Sequence, residues 1–312
     1  MSISHKFGTL MHLLCNSDDR FLFLANIGAY KRMSDDIYLK KMFRAKFKYD
    51  LDLDNPKTFN EKLQWLKLND RKPIYTTMVD KYAAKKFVAD IIGDEYIIPT
   101  LGVWDSAEEI NFASLPEKFV LKSTHDSGGI KIVDKNKPEY NEEELRRFFK
   151  KRLKRSLYYI TREWPYKDVK PRVIAEQYME DSHNRNRLID YKFFTFRGTP
   201  KLFMVNYDRG VSTKADYYDV NLNKLDFTWG YPQSNYSLKL PVNYEKMLEL
   251  AGKLSLGTKE LRVDFYECNG KLYFGELTFF DGSGFTPITP FDWDCKLGEY
   301  IDLNEFVERG IL

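Results

Sequence analysis

The residues best equipped for chemistry lie in the run Phe119-Val-Leu-Lys-Ser-Thr-His-Asp-Ser-Gly-Gly-Ile-Lys-Ile-Val133. Phe119, Val120 and Leu121 suit a buried strand, and Ile130, Ile132 and Val133 suit a second one. Between them, Ser123 to Gly129 forms a polar loop whose one carboxylate is Asp126. Gly128 and Gly129 permit positive φ and close backbone approach, so successive N–H groups can converge on an anion. Lys122, at the end of the first strand, adds a point charge suited to phosphate. The same run also reads as an ordinary hairpin with a glycine turn, so the phosphate reading needs support from elsewhere in the chain.

Arg262-Val-Asp264 and Gly275-Glu276 sit on the two arms of an expected hairpin that turns at Asn269-Gly270. Alternation puts Arg262, Asp264 and Tyr266 on one face and Leu261, Val263 and Phe265 on the other. A two-residue turn would pair Asp264 with Gly275 and send Glu276 to the opposite face. A three-residue turn, Cys268-Asn269-Gly270, would shift the pairing by one and set Glu276 opposite Arg262. We expect the second, because it gathers two carboxylates and an arginine on one surface. Such a surface suits Mg2+, which takes one or two carboxylates plus phosphate oxygens, and an arginine that holds an oxyanion bidentately. A salt-bridged surface hairpin is the plainer alternative. Glu176-Gln-Tyr-Met179 ends an apolar strand; an exposed backbone edge there, with an acidic side chain, could read an adenine amino group.

These residues need elements to hold them. A helix is expected from Asp35 to Lys48, with Ile37, Leu39, Met42 and Phe43 on one face. Another runs from Phe59 to Leu68, opened by a capping box of Thr58 and Glu61. A third spans about Pro73 to Ile92, carries Lys81 and stops at Gly93. Tyr96 to Trp104 reads as a short strand and turn, and Asp105 or Ser106 could cap a short helix through Ile110. Asn141 to Tyr159 has Leu145, Phe148, Phe149, Leu153 and Leu157 at helical spacing, surrounded by Arg146, Arg147, Lys150, Lys151, Arg152, Lys154 and Arg155. That basic helix could touch an acidic polymer or an anionic membrane, or form a solvated outer face. Strands follow at Val173–Met179, Asp190–Phe196 and Lys201–Asn206, then a long loop with short strands over 207–240. A helix from Val242 to Leu256, the Glu260–Leu277 hairpin and a terminal helix after Asp302 complete the chain.

At 312 residues, 43% apolar and 16% aromatic, the chain is expected to fold into two or three lobes. A net charge of +3 gives no indication of nucleic acid. Cys15, Cys268 and Cys295 have no CxxC spacing, and His5, His12, His125 and His183 form no HExxH, which argues against disulfide frameworks and zinc hydrolases. The longest apolar run, Phe21 to Tyr30, is about half of a membrane span, and no signal peptide is legible. A cytoplasmic protein, peripheral at most at the inner membrane face, is expected.

Lys81, Lys122 with its glycine loop, Glu176-Gln-Tyr-Met179, Arg262-Val-Asp264 and Gly275-Glu276 occur in an order that resembles the ATP-grasp superfamily. The chain is more closely similar to the TupA-like branch, found with cell-surface polysaccharide and teichuronopeptide synthesis. Phe59-Asn-Glu-Lys-Leu-Gln-Trp65, Asp80-Lys-Tyr82, Asp190-Tyr-Lys-Phe-Phe194 and Gly275-Glu-Leu-Thr-Phe-Phe-Asp-Gly-Ser-Gly-Phe285 also carry the resemblance. It implies an α+β fold in which two lobes clamp ATP, with an N-terminal helical region over 1–72. A linking segment would span 73–115, a first ATP-grasp subdomain 116–182 and a second 183–312.

By the same resemblance, Lys81 and Lys122 neutralise ATP phosphates, and the loop with Ser123, His125, Ser127, Gly128 and Gly129 closes over them. Glu176, Gln177 and Met179 read adenine. Glu180 or Asp181 takes the ribose, with His183 near that position, and Lys192 joins the nucleotide site. Asp264 and Glu276 hold Mg2+; Thr278 stands where the superfamily often has a third, asparagine ligand. Arg262 stabilises an acylphosphate, with Lys122 as its catalytic partner. The implied activity is an ADP-forming carboxylate–amine ligase acting on ATP, an amine and a uronic-acid or amino-acid carboxylate. The alternatives are a kinase, a nucleotide-binding scaffold, or a glycosyltransferase using Asp50-Leu-Asp52 or Asp292-Trp-Asp294.

Overall fold

The computed structural model describes residues 16–181, 188–208 and 212–304. The N-terminal part is helical: α1 (Ser17–Asn26), α2 (Asp35–Phe47) and α3 (Phe59–Asn69). In α2 the buried face is Tyr38, Leu39, Met42, Phe43 and Ala45, so Tyr38 replaces the expected Ile37, which is 48% exposed. The capping box on α3 forms as expected, with Thr58 Oγ1 accepting from the Glu61 N–H and the Glu61 carboxylate accepting from the Thr58 N–H.

The expected helix over Pro73–Ile92 is two helices, α4 (Ile74–Val79) and α5 (Ala83–Ile92). Asp80 adopts extended φ and ψ between them. The break has a tertiary cause: the Lys81 N–H donates to Thr124 O, outside any helix, at 3.1 Å. The capped helix expected after Trp104 is absent, and that stretch forms turns.

The first sheet contains β1 (Thr100–Trp104), β2 (Lys118–Ser123), β3 (Ile130–Asp134) and β4 (Val173–Gln177) in the order β1-β4-β2-β3, all antiparallel. Phe119, Leu121, Val173 and Ala175 share one core with Phe149 of α6 (Glu142–Leu153). Alternation therefore turns Lys122 and Glu176 to the opposite face. The expected helix Asn141–Tyr159 ends early, at Leu153, and resumes as the single turn α7 (Tyr158–Thr161).

The second sheet has the order β10-β9-β5-β6-β7. Its strands are β5 (Ile189–Phe196), β6 (Thr199–Tyr207), β7 (Lys214–Asp219), β9 (Leu261–Cys268) and β10 (Lys271–Thr278). A small pair, β8 (Thr228–Trp229) with β11 (Ile288–Thr289), closes one end. Phe193, Phe203, Val263 and Phe265 form the main core together with Met247, Leu250 and Leu254 of α8 (Tyr244–Leu254). The described chain ends with α9 (Phe291–Glu299), a helix the prolines around it had concealed. The terminal helix expected after Asp302 lies mostly outside the described residues.

The β9–β10 turn corrects the expected register. Lys271 pairs with Cys268, so the loop is the two-residue Asn269-Gly270, with φ of 51° and 74°. Two such left-handed residues favour the primed turn that suits strand twist. A bulge at Gly275 then shifts the ladder, and Glu276 pairs with Asp264 while Thr278 pairs with Arg262. The two carboxylates reach one face by a bulge, not by a longer turn.

Candidate active site

The two sheets face each other across a cleft. From the first side it is lined by Lys81, Lys85, Lys122, Glu176 and Tyr166, and from the second by Phe274, Gly275, Glu276 and Leu277, with Met78, Val79, Ile97 and Ile98 as an apolar wall. An apolar wall beside a cluster of cations suits a ligand with an aromatic ring and phosphates.

The cations are held by protein acceptors. Glu176 Oε1 lies 2.6 Å from Lys85 Nζ and Oε2 lies 2.5 Å from Lys122 Nζ. Burial pushes the Glu176 carboxyl up, but Lys122 and Lys85 outweigh it and hold the group below its ordinary range. Burial lowers Lys81 and Lys85. Lys81 Nζ donates to Asp126 O at 2.7 Å and Lys85 Nζ to Ile98 O at 2.6 Å.

On the second sheet Arg262 is the hub. Its Nε donates to Asp264 Oδ1 at 2.7 Å, and its Nη2 donates to Asp264 Oδ2 and Glu276 Oε1, each at 2.8 Å. Its Nη1 donates to Asp281 Oδ1. Lys192 Nζ also donates to Asp264 Oδ2 and stands 3.5 Å from Asp190. Burial raises the Asp264 carboxyl, against the pull of Arg262 and Lys192. Burial also opposes charge on Glu276, yet Arg262, Lys192, Lys81 and Lys122 together hold its pKa down at about 2, and its side chain keeps 39% of its surface open.

The loop carrying Asp281 is set by α3. Gln64 Nε2 donates to Gly284 O at 2.7 Å, and Lys67 Nζ donates to Ser283 O at 2.7 Å. Gly284 has φ +60°, and a Cβ there would stand 2.4 Å from Gln64 Nε2. Asn60 anchors the same helix to Asp294 of α9 through Oδ2 at 2.9 Å. This explains why the Phe59–Trp65 motif accompanies the distant Gly275–Phe285 motif in the sequence.

Several expected roles need correction. Within the strand the backbone is occupied: β4 is paired on both sides up to Gln177, whose N–H donates to Pro99 O at 3.0 Å. The Glu176 side chain meets lysines, and Gln177 points to solvent. In the glycine loop Ser127 and Gly128 are exposed at the tip, while His125 is buried with Nε2 3.2 and 3.1 Å from the carbonyls of Arg152 and Arg155. Those carbonyls at the end of α6 draw the imidazole away from the cleft. Gly129 is packed on Ser123, so closely that a Cβ would stand 1.7 Å from its Oγ.

Lys192 serves Asp264 and not the cleft directly. Met179 is half-buried past the strand end and Asp181 is buried. Glu180, the other ribose candidate, is exposed and pairs with Lys118 at 2.7 Å. His183 lies outside the described residues. The Asp-x-Asp triplets are structural: Asp52 Oδ1 accepts from the N–H groups of Asp54 and Asn55, and Asp294 holds Asn60.

Sequence reading missed Lys85, Tyr166 and Asp281. Lys85 follows Lys81 by one helical turn in spacing, a signal that was available. Tyr166, in the link between α7 and β4, gave none.

Mg2+ fits this donor set only in part. Glu276 faces the cleft with Oε1 engaged by Arg262 and Thr278, leaving its second oxygen for a hard cation. Both oxygens of Asp264 are taken by Arg262 and Lys192. Among the described residues no group of three or more His, Cys, Asp or Glu side chains is arranged to hold a metal.

Two α+β lobes clamping a cation-lined cleft define the class. The chain belongs to the TupA-like ATPgrasp family, whose sequence model matches residues 61–302, and it has the ATP-grasp fold. No curated protein matches it. Among solved structures it is similar to D-alanine–D-alanine ligase from Bacillus anthracis complexed with ATP, at 16% identity over 72% of this chain and 63% of that one, with a TM-score of 0.40. It is also similar to phosphoribosylamine–glycine ligase from Thermotoga maritima (13% identity, 68% and 50% covered, TM-score 0.41). N5-carboxyaminoimidazole synthetase from Staphylococcus aureus matches at 14% identity, 65% and 44% covered, TM-score 0.37. The chain spans less than two thirds of the length of each of these three proteins. No helix among the described residues is long and apolar enough to cross a membrane.

Proposed function

We propose that the chain is an ATP-dependent carboxylate–amine ligase, forming an amide through an acylphosphate and releasing ADP and phosphate in bacterial surface-polysaccharide or teichuronopeptide synthesis. The observation that supports it is the convergence of Lys81, Lys85 and Lys122 with Glu276 on one cleft whose lining contains no serine, cysteine or histidine. Such a site works by positioning and charge neutralisation and not through a protein nucleophile.

A carboxylate oxygen of the substrate, a uronic acid or an amino acid, attacks the γ-phosphorus. The bond from that phosphorus to the bridging oxygen breaks and ADP leaves. The amine nitrogen then attacks the acyl carbon, the acyl–oxygen bond breaks, and phosphate leaves as the amine gives up a proton. Lys81, Lys85 and Lys122 neutralise the triphosphate, and Arg262 holds the acylphosphate oxygens. A bound Mg2+, held by Glu276, would further neutralise phosphate charge.

The basic helix contributes less than its composition suggests. Arg146 donates to the carbonyls of Ala107, Glu108 and Ile110, Lys150 pairs with Glu108, and Arg152 pairs with Asp126. Arg147, Lys151, Lys154 and Arg155 are exposed and are the residues we assign to contact with an acidic polymer or a membrane surface. Reversing their charge should abolish salt-sensitive binding to acidic polysaccharide.

The test of the activity is ADP release from Mg2+-ATP across paired panels of sugar acids or amino acids and amines. The expected result is ADP only when acid and amine are both present, lost in Glu276→Gln. ADP formed with the acid alone, as a stable phosphorylated product, would make the protein a kinase; absence of ATP binding would overturn the reading.

A further inference from the structure

Tyr166 is a cleft residue to which no role has been given. It ends the 3-10 turn Trp164–Tyr166 in the link between α7 and β4. The turn is pinned by the residue that ends α3 and by the loop that carries Asp281. Trp164 Nε1 donates to Asp70 O at 3.3 Å, and the neighbouring Glu163 carboxylate accepts from Ser283 Oγ at 2.6 Å. Pinned this way, the ring lines the cleft beside Lys81, Lys122 and Glu276. No hydrogen bond to its hydroxyl occurs among the described residues. The residue is half-buried and its hydroxyl keeps access to solvent, so in the cleft it can take a partner from water or ligand.

We propose that the Tyr166 hydroxyl is a catalytic group, donating a hydrogen bond to the terminal phosphoryl group of ATP during its transfer; this rests on the nucleotide-dependent reading above. Burial, reinforced by Glu163 and Glu276, keeps the phenol protonated well above its ordinary range, so it acts as a donor and not as a base. The lysines supply charge, which is poorly directional. A phenol on a pinned turn supplies direction, and an oxygen that gains charge in the transition state gains most from a preorganised donor.

The position makes a selective prediction, because ADP lacks the group that Tyr166 contacts. Binding of Mg2+-ADP and of the non-hydrolysable Mg2+-AMP-PNP is measured by calorimetry for the wild type and Tyr166→Phe. Loss of one hydrogen bond to a charged acceptor should weaken AMP-PNP by roughly 10-fold or more and leave ADP unchanged; unchanged ADP affinity also shows that the variant is folded. Tyr166→Met, of similar bulk and without a donor, replaces it if the phenylalanine variant does not fold. Both nucleotides weakened alike, or neither affected, would overturn the assignment while leaving the nucleotide site intact. A wild type that binds neither nucleotide would overturn the site and this role together.

Discussion

Arg262 grips Asp264, two residues along the same strand, with paired hydrogen bonds of 2.7 and 2.8 Å from Nε and Nη2. Strand alternation makes the pair adjacent on one face, and the arginine fork matches both carboxylate oxygens. Asp264 is 1% exposed and Arg262 6%, so without Arg262 the buried Asp264 carboxylate would keep Lys192 as its one cation partner among the described residues. Arg262→Met should therefore lower stability by about 3–5 kcal/mol. The double variant Arg262→Met/Asp264→Leu should be less destabilised than Arg262→Met by itself. Urea denaturation decides; a double variant worse than the single would show that the pair is not the origin of the loss.

Glu176 is expected to be a positioning residue for the cleft lysines. Its two oxygens are shared between Lys85 and Lys122, whose side chains are 11% and 15% exposed. Glu176→Ala would leave two cations facing each other, with a loss on the order of 3 kcal/mol. If instead its carboxylate serves only a bound nucleotide, thermal unfolding of the ligand-free variant would match the wild type.

Gly275 should be needed for the register that carries Glu276. A Cβ there would stand 2.9 Å from Tyr266 Cε2 and 3.0 Å from Asp264 O. Gly275→Ala should destabilise by about 1–3 kcal/mol and abolish ADP release, because moving the bulge displaces Glu276 from its place opposite Asp264. Gly270→Ala is the comparison. It meets nothing within 4 Å but keeps φ +74°, so it should lose about 1–2 kcal/mol of stability while retaining activity. Equal activity in the two variants would refute the role of the bulge.

Glu260 should give stability an unusual pH slope. It shares the face of Arg262 and Asp264 by alternation, is 3% exposed, and has no hydrogen-bond partner for either carboxyl oxygen. Burial, then Asp281, raises its pKa well above the ordinary 4.5. The folded state therefore keeps a proton that the unfolded state releases above that value. This contribution is full below pH 4.5 and is lost as pH rises towards the folded pKa, by about 1 kcal/mol per pH unit. Glu260→Gln should flatten that slope and be more stable than the wild type at pH 8. A slope unchanged by the substitution would place the titration elsewhere.

Features governed by local rules were legible in the chain alone. Thr58 and Glu61 announced their helix because a capping box is satisfied within four residues. Lys122 and the glycines after it announced a strand and loop, and the apolar spacing of β5, β6, β9 and α8 was legible in the same way. Convergence was not legible. The break that presents Lys81 is set by a bond to Thr124. The bulge that brings Glu276 to Asp264 depends on packing around Gly275. The clamp of Glu176 on Lys85 and Lys122 joins residues 91 and 54 positions apart. These came from three-dimensional packing, because a charge buried in a cleft chooses its partner by proximity in space, and sequence spacing records that proximity only along a single strand or helix.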